Sequence, residues 1–159
     1  MHDMLNAVRY GILFALAIFL WAVAEMALGL HDRYIRYHEY LSYFFAVPAV
    51  GIMYWGIRAG EQADRPGMRF GRAFGKGMRI VAVVTILCPV VWYVFCMFVN
   101  PTFLSNMTRY AIETKGMTVR PAEHRYGLFN YLFISTISTA LIGSIISLVI
   151  AIIMAGRRH

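Results

Sequence analysis

Charge is scarce in this sequence. Only 14% of its 159 residues are Asp, Glu, Lys or Arg, where an ordinary soluble domain carries roughly a quarter. Acids are scarcest, with eight Asp and Glu against 15 Lys and Arg. Cysteine is nearly absent. Cys88 and Cys96 share one apolar run, where eight residues of helix hold them roughly 12 Å apart, too far to be bridged to each other. No CxxC pair, HExxH, GxSxG elbow, P-loop or Rossmann glycine pattern occurs, so zinc-finger, zincin, hydrolase-elbow and nucleotide-binding chemistries lack their usual supports. No internal repeat is evident, which argues against an inverted-repeat transporter.

What the sequence has instead is long apolar runs. Hydrophobic residues make up 60% of it, and its mean hydropathy is +0.60. That balance excludes a disordered chain and makes a soluble enzyme a poor default; it points to a membrane protein. The runs are Tyr10–Leu30, Tyr40–Ile57, Ile80–Val99 and Leu128–Ala155. A helix needs about 20 apolar residues to cross a bilayer core, and backbone groups in lipid must be satisfied within the segment. An all-α, single-domain protein of four membrane helices is expected, over about residues 10–30, 40–58, 79–100 and 127–156. Arg9 before the first run and Ala22-Val23-Ala24 within it resemble a signal peptide, but a retained membrane helix is the expectation. Asn100-Pro101 should end the third helix, Pro89 should kink it, and Pro48 and Gly51 should do the same to the second.

Nine of the 15 basic residues fall near the termini and in the loop between the second and third runs: Arg9, Arg58, Arg65, Arg69, Arg72, Lys76, Arg79, Arg157 and Arg158. The positive-inside rule puts this side, with both termini, in the cytoplasm and residues 31–39 and 100–126 outside. Within RPGMRFGRAFGKGMR, residues 65–79, Arg65, Arg69, Arg72, Lys76 and Arg79 repeat every three or four positions, one stripe of a helix. A short interfacial helix on anionic lipid is expected there, between the second and third membrane helices. Gly67, Gly71 and Gly75 suit either close helix approach or a flexible turn.

Glu25 stands alone as an acid inside an apolar run, roughly 8 Å below the outer end of its helix. A charge there costs a few kcal/mol or more unless paired, hydrated or neutralised, on the order expected for intramembrane ionisable groups. Two readings stay open: a proton or cation site, or a carboxyl that locks helix packing. Matching depths on the other helices offers Tyr93, Asn130 and Ser135 as intramembrane polar partners, with Ser42 and Tyr43 from the second helix. The outer stretch HDRYIRYHE, residues 31–39, sets His31 and His38 seven apart. With Asp32, Glu39, Glu123 or His124 they offer a metal site, or simple interfacial hydrogen bonding. On the fourth helix Ser135, Thr139, Gly143, Ser147, Ala151 and Ala155 recur every four residues, a stripe for close packing on the other helices or on a second copy.

The order and spacing of Glu25, Gly29-Leu30-His31, His38, Pro48, the glycines around Phe70 and Phe74, Pro89, Asn100-Pro101 and Phe129-Asn130 resemble the bacterial domain-of-unknown-function family 4199. The resemblance runs from about residue 8 to 155, and departs from the family in an arginine-rich rather than lysine-rich loop. It implies a four-helix inner-membrane protein and no known activity. Together these readings lead to a non-enzymatic accessory or scaffold subunit that binds protein or lipid, alone, as a homo-oligomer or in a larger membrane complex. No cofactor and no nucleic-acid partner is expected. A small transporter or channel-like protein with Glu25 as its cation site is the second reading, and a membrane enzyme using the outer His/Glu cluster the third.

Overall fold

The computed structural model describes residues 2–59 and 69–156. Arg65, Gly67, Arg157 and Arg158 lie outside the described residues. The first span is α1 (His2–Ala27). The second is broken into α2 (Ile35–Ser42), a 3-10 turn (Tyr43–Phe45) and α3 (Ala46–Arg58). Pro48 sits in the first turn of α3, where its missing N–H and bulky ring disfavour the preceding α-helical bond, and the chain tightens into the 3-10 turn just before it. The third span is α4 (Phe70–Val94), which contains Pro89 and widens into a π-helical turn over Phe95–Val99. After it come two short helices, α5 (Phe103–Glu113) and α6 (Val119–Tyr126), and the fourth span, α7 (Leu128–Gly156).

Among the described residues, four helical stretches are long and apolar enough to cross a bilayer: His2–Ala27, Ile35–Arg58, Phe70–Val99 and Leu128–Gly156. Only 28–33% of each apolar window is buried by the rest of the chain. Large side chains such as Leu20, Val47, Ile86 and Leu141 stand exposed on the bundle surface. In water that surface would be an aggregation hazard; against lipid tails it costs nothing. The protein is therefore a multi-pass membrane protein.

Helix α4 is the hub, packing on α7 most extensively and also on α1 and α3. Phe14, Met53, Ile57, Ile80 and Val84 fill the interior toward the termini. Phe95, Phe103, Met107, Ala111 and Ala122 fill the opposite end, where α5 and α6 form a cap. The small-residue stripe of α7 is spent inside the chain. Gly143 abuts Val81, Thr139 Oγ1 lies 3.3 Å from Cys88 Sγ, and Ser147 donates to the Phe74 carbonyl at 3.4 Å. Ser135 is half-buried on the same helix.

The basic segment differs from expectation. Residues 70–79 are no separate interfacial helix but the opening turns of α4, which run unbroken into the apolar part. The reason lies in Lys76: its stem is buried, and its ammonium donates to the Ala59 carbonyl at the C-terminal end of α3 (3.0 Å) and lies 3.6 Å from Asp3. Arg69, Arg72 and Arg79 remain exposed, with Arg79 3.8 Å from Asp3.

Close approach explains one glycine in that segment. A Cβ on Gly77 would come within 2.8 Å of Ser147 Cβ, whereas one on Gly75 would meet nothing within 4 Å. Gly77→Ala is therefore expected to destabilise the bundle by about 1–3 kcal/mol through overpacking. Gly75→Ala should stabilise it by about 0.5–1 kcal/mol by restricting the unfolded chain. Thermal unfolding in detergent, followed by tryptophan fluorescence, reads both.

Candidate functional site

Helix α1 ends earlier than its apolar run, and this early stop builds the site. Gly29 has φ +74°, a left-handed conformation that glycine adopts at little cost. Its N–H donates to the Met26 carbonyl and the N–H of Leu30 to the Glu25 carbonyl, each at 2.9 Å, the paired bonds of a Schellman stop. Glu25 thus stands in the last turn of α1, and the chain folds back so that His31 lies over it. Helix α2 then brings His38 and Ser42, one turn apart, against the same carboxylate.

The Glu25 carboxylate is almost wholly buried and its two oxygens have different surroundings. Oε1 accepts from the Trp21 indole N–H at 2.8 Å and from the Ser42 hydroxyl at 2.7 Å. Oε2 lies 3.5 Å from His31 Nε2 and 3.6 Å from His38 Nδ1. One ligand atom each from Glu25, His31 and His38 falls within 4.8 Å of the other two, so among the described residues these three are able to share a metal ion.

His31 is held on every side. Asn100, placed by the π-helical turn, sets its amide nitrogen 3.2 Å from His31 Nδ1, and Asn106 of α5 donates to the His31 carbonyl at 2.9 Å. Phe103 is fully buried and lies 4.4 Å, centroid to centroid, from the His31 ring and 5.6 Å from that of His38. His31 Nε2 is buried with no hydrogen-bond partner among the described residues. The cap is tied down beyond the site by Lys115, which donates to Glu39 on α2. Slight burial draws the Lys115 pKa down, but the Glu39 carboxylate outweighs it and the net shift is upward. That contribution is present below the ordinary lysine value and lost only as pH rises through the raised one, so the tie holds across the neutral range.

A cleft of about 210 Å³ opens beside the carboxylate, lined among others by Trp21, His38, Ser42, Trp92 and Tyr131. The polar layer foreseen from helix depth is therefore only partly present. Ser42 bonds Glu25, but Tyr93 points outward and pairs edge-on with Phe98, Tyr43 is exposed, and Asn130 donates to the Arg125 carbonyl. Tyr93 and Asn130 each miss the cleft by one position, since their neighbours Trp92 and Tyr131 line it. Neither Asp32, Glu39, Glu123 nor His124 joins the two histidines; Glu25 from inside the bundle does. Trp21, Asn100 and Phe103 were not singled out as site residues. The spacing of Trp21 and Glu25, four apart on one helix, was the available signal for the first.

The family described as protein of unknown function, DUF4199, matches residues 9–155. The chain belongs to the DUF4199 family. No curated protein and no solved structure matches it. The capped Glu–His–His cluster is thus a feature read from this DUF4199 chain's own geometry.

The Schellman stop predicts one further behaviour. Gly29→Ala should cost about 1–2 kcal/mol, the strain of a side chain in the left-handed region. Because the strain falls between Glu25 and His31, hydrogen exchange should quicken first in residues 28–34 and in α2. Uniform protection equal to that of the native chain would show that the turn does not position the cluster.

Proposed function

We propose that this DUF4199 protein is a small cation-handling membrane protein, transporter- or channel-like, in which Glu25 with His31 and His38 receives the cation. The convergence of one carboxylate and two imidazoles on a buried point beside a cleft carries this reading. A carboxyl serving only to lock helices would be satisfied by Trp21 and Ser42; the second oxygen, aimed at two imidazoles, is more than packing requires. A scaffold using the fourth helix and the basic loop would be favoured by small residues of α7 left open to lipid, and Gly143 and Ser147 of that stripe lie against α4.

In this reading the protein sits in a bacterial inner membrane with both termini and the exposed Arg69, Arg72 and Arg79 facing an anionic cytoplasmic leaflet, and the cap outside. Phe14, Met53 and Ile80 pack the bundle below the cluster, so passage requires the helices to part rather than a standing pore. A phosphatase active only outside the cytoplasm, fused after His159, should be silent; an active fusion contradicts the orientation.

Purified chain reconstituted into vesicles, with trapped indicators for protons, alkali ions and zinc, tests the function. Gradient-driven entry of a cation is expected, reduced at least tenfold by Glu25→Gln and unaffected by Tyr93→Phe. Entry that is indifferent to Glu25→Gln, or no entry of any cation, refutes it.

A further inference from the structure

We propose that the ion of this site is a divalent transition metal of the zinc class, taken by His31 Nε2, His38 Nδ1 and Glu25 Oε2, with a fourth position facing the cleft. The proposal deepens the cation-handling reading and rests on it for what the ion is used for; the coordination argument stands on the geometry.

Donor chemistry selects the metal. Two imidazoles and one carboxylate suit zinc and its first-row neighbours, whereas calcium and magnesium ask for oxygen-rich, six-or-more-coordinate shells. Spacing agrees. Ligand bonds of about 2.0–2.2 Å at a tetrahedral angle put neighbouring donor atoms roughly 3.4 Å apart. Glu25 Oε2 lies 3.5 Å from His31 Nε2 and 3.6 Å from His38 Nδ1, too long for good hydrogen bonds and right for two ligands of one ion. The buried His31 Nε2 has no hydrogen-bond partner among the described residues, a cost that a metal bond removes.

The surrounding residues complete the design. Trp21 and Ser42 occupy Oε1 and so fix the carboxylate with Oε2 turned to the imidazoles. Asn100 governs His31. Its Oδ1 now accepts from the Thr102 hydroxyl (3.0 Å) and its amide nitrogen faces His31 Nδ1 (3.2 Å), which keeps the imidazole proton on Nε2. Turning the amide over puts Oδ1 against Nδ1 and lets Thr102 accept from the amide nitrogen. The proton then resides on Nδ1, and the Nε2 lone pair is free for the metal; no proton leaves the site. Asn100 is a positioning residue. Three protein ligands carrying one negative charge leave a divalent ion with a net positive charge and an open place. The cleft of about 210 Å³ supplies room there for water or an anion.

The test uses the full chain in lipid nanodiscs, stripped with a chelator and titrated with Co²⁺, then Zn²⁺. One Co²⁺ per chain is expected, with the intense visible bands of a four-coordinate ion, displaced by one equivalent of Zn²⁺. Glu25→Gln keeps an acceptor for Trp21 and Ser42, preserves the fold, and should weaken binding at least tenfold; His38→Ala should abolish the four-coordinate bands. Asn100→Asp, which holds the Nδ1 proton with a carboxylate, should tighten binding about tenfold, and Asn100→Leu should loosen it by a similar factor. The weak spectrum of six-coordinate cobalt overturns the proposal. So does binding unchanged by Glu25→Gln and His38→Ala, which would place the metal on His2, His124 or His159. Absence of Co²⁺ binding alongside Glu25-dependent proton or alkali-ion entry overturns the metal and leaves the cation reading standing. Metal binding of the stated kind without entry of any ion upholds the site and defeats the transport reading.

Discussion

A carboxylate in the last turn of a membrane helix has to find partners, and Glu25 draws them from three parts of the chain. Trp21 comes from its own helix, Ser42 and His38 from the returning span, and His31 from the turn between them. Desolvating this group without such partners costs several kcal/mol, on the scale of burying an unpaired charge. The short reversal after Gly29, the early start of α2 and the cap over His31 are all arranged around that need.

The two halves of the molecule answer to different solvents. Toward the termini the spans meet through small residues and aliphatic side chains, with Lys76 reaching back to close the end of α3. Toward the cap the interior is aromatic. Phe95 and Phe103 pack against the His31 ring, and Trp92 and Tyr131 pack on Phe103 behind it, so the imidazole is shielded from water by rings rather than by aliphatic bulk. This arrangement gives a polar centre in a low-dielectric shell, where electrostatic and coordination bonds count for most.

Much of the fold was legible because four runs of apolar residues leave a chain few alternatives in lipid. Glu25, His31 and His38 were each conspicuous for being ionisable or ligating in such surroundings. Their meeting was not legible, because it depends on where α1 stops. Reading the apolar run through Leu30 put Glu25 too deep and the histidines on a separate outer surface; α1 ends three residues earlier, at Ala27, and the positive φ of Gly29 turns the chain back. The depth-matched partners failed for a related reason. Counting along ideal helices chose Tyr93 and Asn130, whereas Trp92 and Tyr131, one place earlier and one later, face the cleft. Asn100 looked like a helix terminator and is one, but the π-helical turn before it also aims its amide at His31. Side-chain direction after a π turn is a product of tertiary packing, which no single sequence displays.

The central claim is that Glu25, His31 and His38 act as one coordination unit joining the membrane interior to the cap. X-ray absorption at the zinc edge, on full-length chain loaded with one equivalent of Zn²⁺ in nanodiscs, addresses it most directly. The account predicts a four-coordinate shell of two imidazole nitrogens and oxygen ligands at about 2.0–2.2 Å, with one imidazole lost in His31→Ala. A shell built of oxygens alone, or one unchanged by His31→Ala, would contradict it.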